Sequence, residues 1–305
     1  MDALDIAILR ELSQAQSVLP AKVGLASSYG EMSRKLGHSR GTVRSRVEKL
    51  YTSGVIRGSS VFVNPILLGL YGATYAFDVS PSRQKSKVIE QLKLMDGIHT
   101  IHNFRGSWIG IHFMYEDEAD LKKSTSKFLE LSGASEGLLS RVPYPHCAIV
   151  LDKSEYSLIK VLSSQGFRSY AELSRELGVS VRTVKRKLAK LLGQGAILSI
   201  PRLDYRKIDA GLPVDIVAVF DSKESKMNAE KKILPIVKDY LHFLGNAEEY
   251  IVYNLILPNL ALVNELSTAV NQVEGVRSTR TELVDEHIDM TPNLQSYFER
   301  LKVSS

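Results

Sequence analysis

Residues 29–56 read YGEMSRKLGHSRGTVRSRVEKLYTSGVI, and residues 170–197 read YAELSRELGVSVRTVKRKLAKLLGQGAI. Aligned without a gap at an offset of 141 residues, they agree at 13 of 28 positions. The agreement runs from Tyr29/Tyr170 through Gly37/Gly178 and Ser39/Ser180 to Gly54/Gly195 and Ile56/Ile197. Chance does not produce this, so the chain reads as a tandem duplication of two units of about 150 residues each. The helices upstream also correspond: Asp5, Ile8, Leu9 and Leu12 line up with Glu155, Leu158, Ile159 and Leu162. Unit one has nine more residues in between. That insertion, SVLPAKVGLASS (17–28) and its flanks, is read as a loop from its Pro, Gly and Ser content.

Each copy predicts two short helices and a tight turn. Ser28-x-x-Glu31 and Ser169-x-x-Glu172 have the form of capping boxes that open the first helix. Gly37 and Gly178 stop it, because glycine takes the left-handed conformation cheaply. Ser39 and Ser180 then cap the second helix. Inside it, Val43, Val47 and Leu50 fall on one stripe, as do Val184, Leu188 and Leu191. After Gly54 and Gly195, the stretches VIRGSSVFVNP and AILSIPRLDY suit β-hairpins. The pattern predicts a winged helix-turn-helix in each unit.

The polar face of the second helix carries the functional signal. At 100° per residue from Val43, Gly41, Arg44, Ser45 and Glu48 point outward, with Arg40 on the first turn; the unit-two set is Arg182, Lys185, Arg186 and Ala189. Residues 29–58 hold seven Lys/Arg and two Glu, and residues 170–199 hold six and two. Their net charges of +5 and +4 exceed the whole chain's +5, so the rest of the molecule is slightly acidic. Charge concentrated in this way is the footprint of a reader of double-stranded DNA. The residues expected at DNA are Ser39, Arg40, Thr42, Arg44, Ser45 and wing residue Arg57, with Ser180, Arg182, Thr183, Lys185 and Arg186 in unit two.

The remainder of each unit has βαββαβ rhythm. In unit one, strands are expected at 73–79, 99–105, 108–115 and 140–144, with helices at 84–95 and 118–131. In unit two, strands are expected at 214–220, 242–247, 249–257 and 276–284, with helices at 228–241 and 260–273. Pro235 is awkward inside the first of those two helices. The fold class is therefore α+β, two winged helix-turn-helix domains (1–64 and 148–205) alternating with two ferredoxin-like sandwiches (65–147 and 206–305). The strands Ala73–Val79 and Val214–Phe220 look too apolar to face water. Their sheets are expected to pack on each other within the chain as a pseudo-dimer, and the linked arrangement also allows a dimer of chains.

Composition is that of an ordinary globular chain, 44% hydrophobic and 24% charged. One cysteine, Cys147, excludes an intrachain disulfide or a cysteine metal cage. The start lacks a signal peptide's features, and no stretch suggests a membrane span, so a cytoplasmic protein is expected. No cofactor, metal or nucleophile–base set is indicated.

The whole plan resembles the Lrp/AsnC family of prokaryotic transcriptional regulators. The residues that carry it include Leu4-Asp5 to Leu12, Tyr29 to Ser39, Val43 to Leu50 and Leu68-Gly69-Leu70 in unit one. In unit two they include Glu155 to Leu162, Ala171 to Ser180, Ala210-Gly211-Leu212 and Val273 to Thr279. The resemblance implies a sequence-specific DNA-binding regulator, not an enzyme, whose ferredoxin-like domains pair and can take a small-molecule effector. This chain departs from the family in fusing two units. It also places Trp108 where the family's effector hairpin carries an acidic residue.

His99, His102 and His112 cluster in the hairpin around Gly106-Ser107. Centring the turn on that pair puts His99, His112 and Trp108 on one face, as candidate ligand contacts, and His102 on the other. No carboxylate is placed to complete a metal site. The run is also similar to the hairpin of siroheme decarboxylases, which share this domain plan and use histidines there. The alternative reading is therefore such an enzyme, or a sensor on the same scaffold. Against it, unit two lacks the hairpin histidines, and an enzyme has little need of a basic recognition helix.

Overall fold

The computed structural model describes residues 1–14, 25–165, 169–209 and 211–301. Three helices come first: α1 (Ala3–Gln14), α2 (Leu25–Leu36) and α3 (Arg40–Thr52). Strand β1 (Ile56–Val63) and a 3₁₀ turn (Pro65–Leu68) lead to β2 (Tyr71–Asp78), α4 (Lys85–Leu92), β3 (Ile98–Phe104), β4 (Trp108–Tyr115), α5 (Glu118–Ser132) and β5 (Gly137–Val142). The same order of elements follows again. It comprises α6 (Lys153–Gln165), α7 (Tyr170–Leu177), α8 (Val181–Gly193) and β6 (Ile197–Leu203). After a 3₁₀ turn (Tyr205–Lys207) come β7 (Leu212–Phe220), α9 (Lys223–Val237), β8 (Leu241–Asn246), β9 (Tyr250–Leu257), α10 (Leu260–Asn271) and β10 (Val276–Asp289). A run of 3₁₀ turns, Thr291–Arg300, closes the described chain.

Local chemistry sets the helix ends much as the sequence predicts. Gly37 and Gly178 sit at φ of 68° and 63° past the ends of α2 and α7. Ser39 accepts from the Thr42 amide and Ser180 from the Thr183 amide, both at 3.1 Å. Ser169 and Glu172 form the expected capping box of α7. Ser28 does not open α2. That helix already begins at Leu25, since the helix-favouring Leu25 and Ala26 continue it backwards. The rest of the expected loop, residues 15–24, lies outside the described residues. In unit two, α9 starts at Lys223 rather than near 228, because Ser222 caps it by accepting from the Ser225 amide. Pro235 is tolerated in its last turn.

The wings are not hairpins. Each is a single strand, and β1 pairs antiparallel with β6 from the other half, with Ser60 opposite Ile200. The cross-half ladder satisfies the backbone of both stretches. The core of α1–α3 is completed by Tyr205, Ile208, Ile256 and Val284 from the second half. The core of α6–α8 is completed by Val61, Val63, Leu68 and Leu70 from the first, together with Leu294 and Phe298. Each helix-turn-helix therefore rests partly on the other half.

The remaining eight strands form one sheet in the order β5-β2-β4-β3-β10-β7-β9-β8. The two four-stranded halves join edge to edge through β3 and β10. One face of the first half packs Tyr75, Phe77, Ile111 and Phe113 against α4 and α5. The equivalent face of the second packs Ile216, Phe220, Tyr253 and Leu255 against α9 and α10. The apolar residues of β2 and β7 thus face helices. Their alternate neighbours Thr74, Ala76, Asp215 and Val217 face the other way. That open face is mixed: Thr74 and Asp215 stand among Ala76, Val217 and Val252, and Leu138 of the first half packs with Val217, Val219 and Tyr250 of the second, because side chains alternate across a strand.

The open faces of the two halves look at each other. At the far end they meet: Thr74 bonds Tyr250, Ser140 bonds Glu249, and the Glu248 amide donates to the Arg141 carbonyl at 3.0 Å. The sheet curls from its seam to this contact and frames an open-sided cavity of about 1480 Å³.

Candidate functional site: two basic helices and an inter-sheet cavity

In α3, Val43, Val47 and Leu50 are buried, and Arg40, Gly41, Thr42, Arg44, Ser45 and Glu48 are exposed. In α8, Val184, Leu188 and Leu191 are buried, and Arg182, Lys185, Arg186 and Ala189 are exposed. The two outward faces differ in one electrostatic respect. Arg44 donates to Glu48 one turn on, at 2.7 Å. Ala189 stands at the equivalent place in α8, so Lys185 has no acid one turn on as Arg44 does. Lys185 lies 4.9 Å from the centre of the Tyr170 ring, a cation–π contact that steadies its stem.

Both helices are anchored from behind by a buried acid that the sequence reading used only as an alignment marker. Asp5, on α1, pairs with Arg46 at 3.2 Å. Glu155, on α6, pairs with Lys190 at 2.8 Å. Lys187 bonds Asp152, whose carboxyl is held well below its ordinary range by that bond and by the Glu155 amide, against the cost of its own burial. The signal in the sequence was a charge on the otherwise apolar inner side of each second helix. These residues fix the tilt of the helix whose other side is basic.

Arg57 stands exposed on the wing strand and has an acidic partner. It lies on β1 and pairs with Asp204 at the cavity rim. Arg206 also reaches Asp204, at 3.0 Å, and is the first cause of that carboxyl's lowered pKa.

The hairpin histidines are brought together, not divided between faces. The β3–β4 loop has three residues, 105–107, with Gly106 at φ 88°. A three-residue loop shifts the register by one, and a one-residue slip moves side chains to the opposite face. His102 therefore lies opposite Gly110, and Thr100 opposite His112. The rings of His102 and His112 are 4.9 Å apart, and those of His99 and His112 5.5 Å. His99, at a bulge in β3, stacks on Phe62 at 5.3 Å, and its Nε2 lies 3.3 Å from the Tyr144 hydroxyl. Trp108 is half-buried under the Arg280 guanidinium, 3.4 Å from the ring centre.

The second half adds what the hairpin lacks. His287 of β10 lies opposite His102 in the seam, their rings 4.3 Å apart. Asp215 of β7 faces the same cavity and accepts from the Asn254 amide group. Its carboxyl is pushed up to about 7 by burial and by repulsion from Glu282, in spite of that hydrogen bond. Burial holds His112 and His242 down to about 4, and His287 down to about 3 with help from the charges of His242 and His112. His99 is held to about 3 by burial and by His112. These rings are neutral at ordinary pH, and each offers a lone pair.

An HTH-domain family matches residues 155–206. An uncharacterised HTH-type transcriptional regulator of Pyrococcus horikoshii is 30% identical over 143 residues, 46% of this chain and 82% of the relative. The regulatory protein AsnC of Haemophilus influenzae is 28% identical over 109 residues, 35% of this chain and 67% of that protein. Among solved structures, the siroheme decarboxylase NirDL in complex with an iron-uroporphyrin III analogue superposes with a TM-score of 0.50 at 12% identity. The alignment covers 95% of this chain and 98% of that one. The likeness is one of fold. Among the described residues, no helix is long and apolar enough to cross a membrane.

Proposed function

The chain belongs to the Lrp/AsnC family of helix-turn-helix transcriptional regulators, and from that premise we propose that it is a duplicated member that reads double-stranded DNA with two recognition helices, α3 and α8. The observation that carries this reading is the pair of exposed basic faces, each backed by a buried apolar stripe and a buried acid. Ser39, Thr42, Ser180 and Thr183 lie at the helix N-termini, where backbone amides and short hydroxyls suit phosphate oxygens. Arg40, Arg44, Arg182, Lys185 and Arg186 supply the groups that reach base edges and backbone. The ferredoxin-like halves, fused through β3 and β10, replace the pairing of two separate chains.

Arg44→Ala should weaken binding to the preferred sequence by roughly 10–100-fold if Arg44 reads a base. Fluorescence anisotropy on the selected site measures it, and unchanged affinity removes Arg44 from the reading set. The two helices present different side chains, with Gly41 and Ser45 in one and Arg182 and Arg186 in the other. Sequence selection from a random DNA pool should therefore return two unlike half-sites. A perfect palindrome recovered by a monomeric chain contradicts two inequivalent readers.

A second reading, an enzyme or sensor for a tetrapyrrole on the same scaffold, is favoured by one observation: the cavity of about 1480 Å³, faced by His99, His102, His112 and His287. Absorbance spectra recorded after adding siroheme separate the two. A shifted Soret band that His112→Ala removes supports the second reading, and an unshifted band removes it.

A further inference from the structure

We propose that His102, His287 and Asp215 form a binding site for a divalent first-row transition-metal ion on the wall of the inter-sheet cavity. One ligand atom from each of the three lies within 4.8 Å of the others. Two imidazoles and one carboxylate are a donor set suited to iron(II), cobalt(II), nickel(II) or zinc(II), with the cavity side left open to further ligands. Metal–donor distances of roughly 2.0–2.2 Å require the three atoms to draw in by about an ångström, which is within the reach of χ rotations.

The backbone builds this arrangement from both halves of the chain. β10 pairs with β3 as Val284 opposite Phe104, then Glu286 opposite Asn103 and His287 opposite His102. The shift between Val284 and Glu286 is a bulge, and it brings His287 to the same face as Val284 although they lie an odd number of positions, three, apart. Gly110, across from His102, has no side chain to cover the ring; a Cβ there would lie 3.2 Å from the Phe104 ring. Asp215 arrives from β7, the neighbour of β10 on its other side.

The hydrogen bonds leave the right atoms bare. Both ring nitrogens of His102 are buried without a hydrogen-bond partner, and so is Nε2 of His287. Unpaired buried polar atoms are costly, so three in one place call for an explanation. Tyr205 fixes His287 from behind. Its hydroxyl lies 3.4 Å from His287 Nδ1 and 3.3 Å from His242 Nε2. A hydroxyl has one proton. When Tyr205 donates it to His242, its oxygen accepts from the His287 Nδ1–H, and His287 Nε2 is left as a lone pair aimed away from Tyr205. Outer partners of this kind set the tautomer of ligating histidines. Asn254 does the same for Asp215, holding one carboxylate oxygen and leaving the other for the ion. A cation there would also resolve the burial of an acid that has no basic partner among the contacts described.

The test uses the full chain, stripped with chelator and titrated with cobalt(II) alone, read by its visible ligand-field bands and by calorimetry. The expected result is about one equivalent per chain with nitrogen–oxygen-type bands. His102→Ala and His287→Ala should each abolish that equivalent, and Asn254→Ala should weaken it by roughly 10–100-fold. His146→Ala, at an exposed position outside the cavity, should leave it intact. Circular dichroism of each variant shows that the fold survives; where His102→Ala does not fold, Asp215→Asn replaces it, and it should lose the bands with the fold retained. No saturable uptake by the parent chain, or uptake that persists in folded His102→Ala or Asp215→Asn protein, overturns the site. Siroheme binding without cobalt uptake also overturns it, whatever the outcome for DNA.

Discussion

Replacing Arg182, Lys185 and Arg186 together by alanine should weaken DNA binding by about three orders of magnitude at low salt. One base-edge contact contributes roughly 1–3 kcal/mol of discrimination. Each phosphate contact adds a share that appears in the salt dependence, with a slope of about 0.9 per neutralised phosphate. Losing three cations should therefore flatten the log–log salt plot by close to 2–3. The effect is expected to exceed that of the corresponding change in α3, because Glu48 already offsets Arg44 there, whereas α8 has Ala189 at that place. The triple variant keeps Val184, Leu188 and Leu191 and the Lys190–Glu155 pair, so α8 should stay folded. Titration of labelled duplex at several salt concentrations measures both quantities. An affinity that is lower by less than threefold, with an unchanged slope, would place DNA on another surface.

Acidification should unfold the chelator-treated protein well above the pH at which carboxylates titrate. His99 and His242 are only 5% and 2% exposed, and burial holds them near 3 and 4 against an ordinary 6.5. Their folded pKa lies below the unfolded one, so between these values the unfolded chain binds more protons. Stability then rises with pH and is lost as pH falls from about 6.5 towards 4. For His242 alone the loss is on the order of 3 kcal/mol. The histidines facing the cavity act in the same direction. Asp215 acts in the opposite one: its raised pKa makes it a proton acceptor in the folded state from about 7 downwards, which stabilises on acidification. One carboxyl does not offset five histidines, and a typical domain has only 5–15 kcal/mol in hand. The urea midpoint should thus fall steeply between pH 7 and pH 4.5. His242→Gln should blunt that fall, and a flat midpoint across this range would show that these rings are solvated and protonate freely in the folded state.

The parts of the fold that were readable in the sequence are those set by near neighbours. Caps at Ser39, Ser169 and Ser180, glycines at Gly37 and Gly178, and the stripes of α3 and α8 are decided within one or two turns of chain. The same local solution occurs twice, at an offset of 141 residues. The parts that were not readable depend on distant partners. The pairing of β1 with β6 joins Ile56 to Leu203, and nothing near Ile56 announces it. The histidine cluster was missed through a single residue: with the loop at 105–107 rather than 106–107, His102 changes faces. Its other members, His287 and Asp215, come from strands whose order in the sheet no local pattern specifies. The basic helices could therefore be assigned from sequence, and the cavity could not.

The seam between β3 and β10 has a consequence for how the molecule is made. His102 leaves the ribosome roughly 185 residues before His287, its partner across the ladder. At about 5–20 residues per second, the edge of β3 stays unpaired for on the order of ten seconds or more. β1 waits similarly for β6, and the core of α6–α8 waits for Leu294 and Phe298 near the end of the described chain. During translation the first half is thus a half-finished sheet with an open rim, the kind of edge that recruits strands from other nascent chains. The open side of that waiting intermediate carries Thr74, His102 and His112 among its apolar residues, so it is less apolar than a run of Val and Ile would make it.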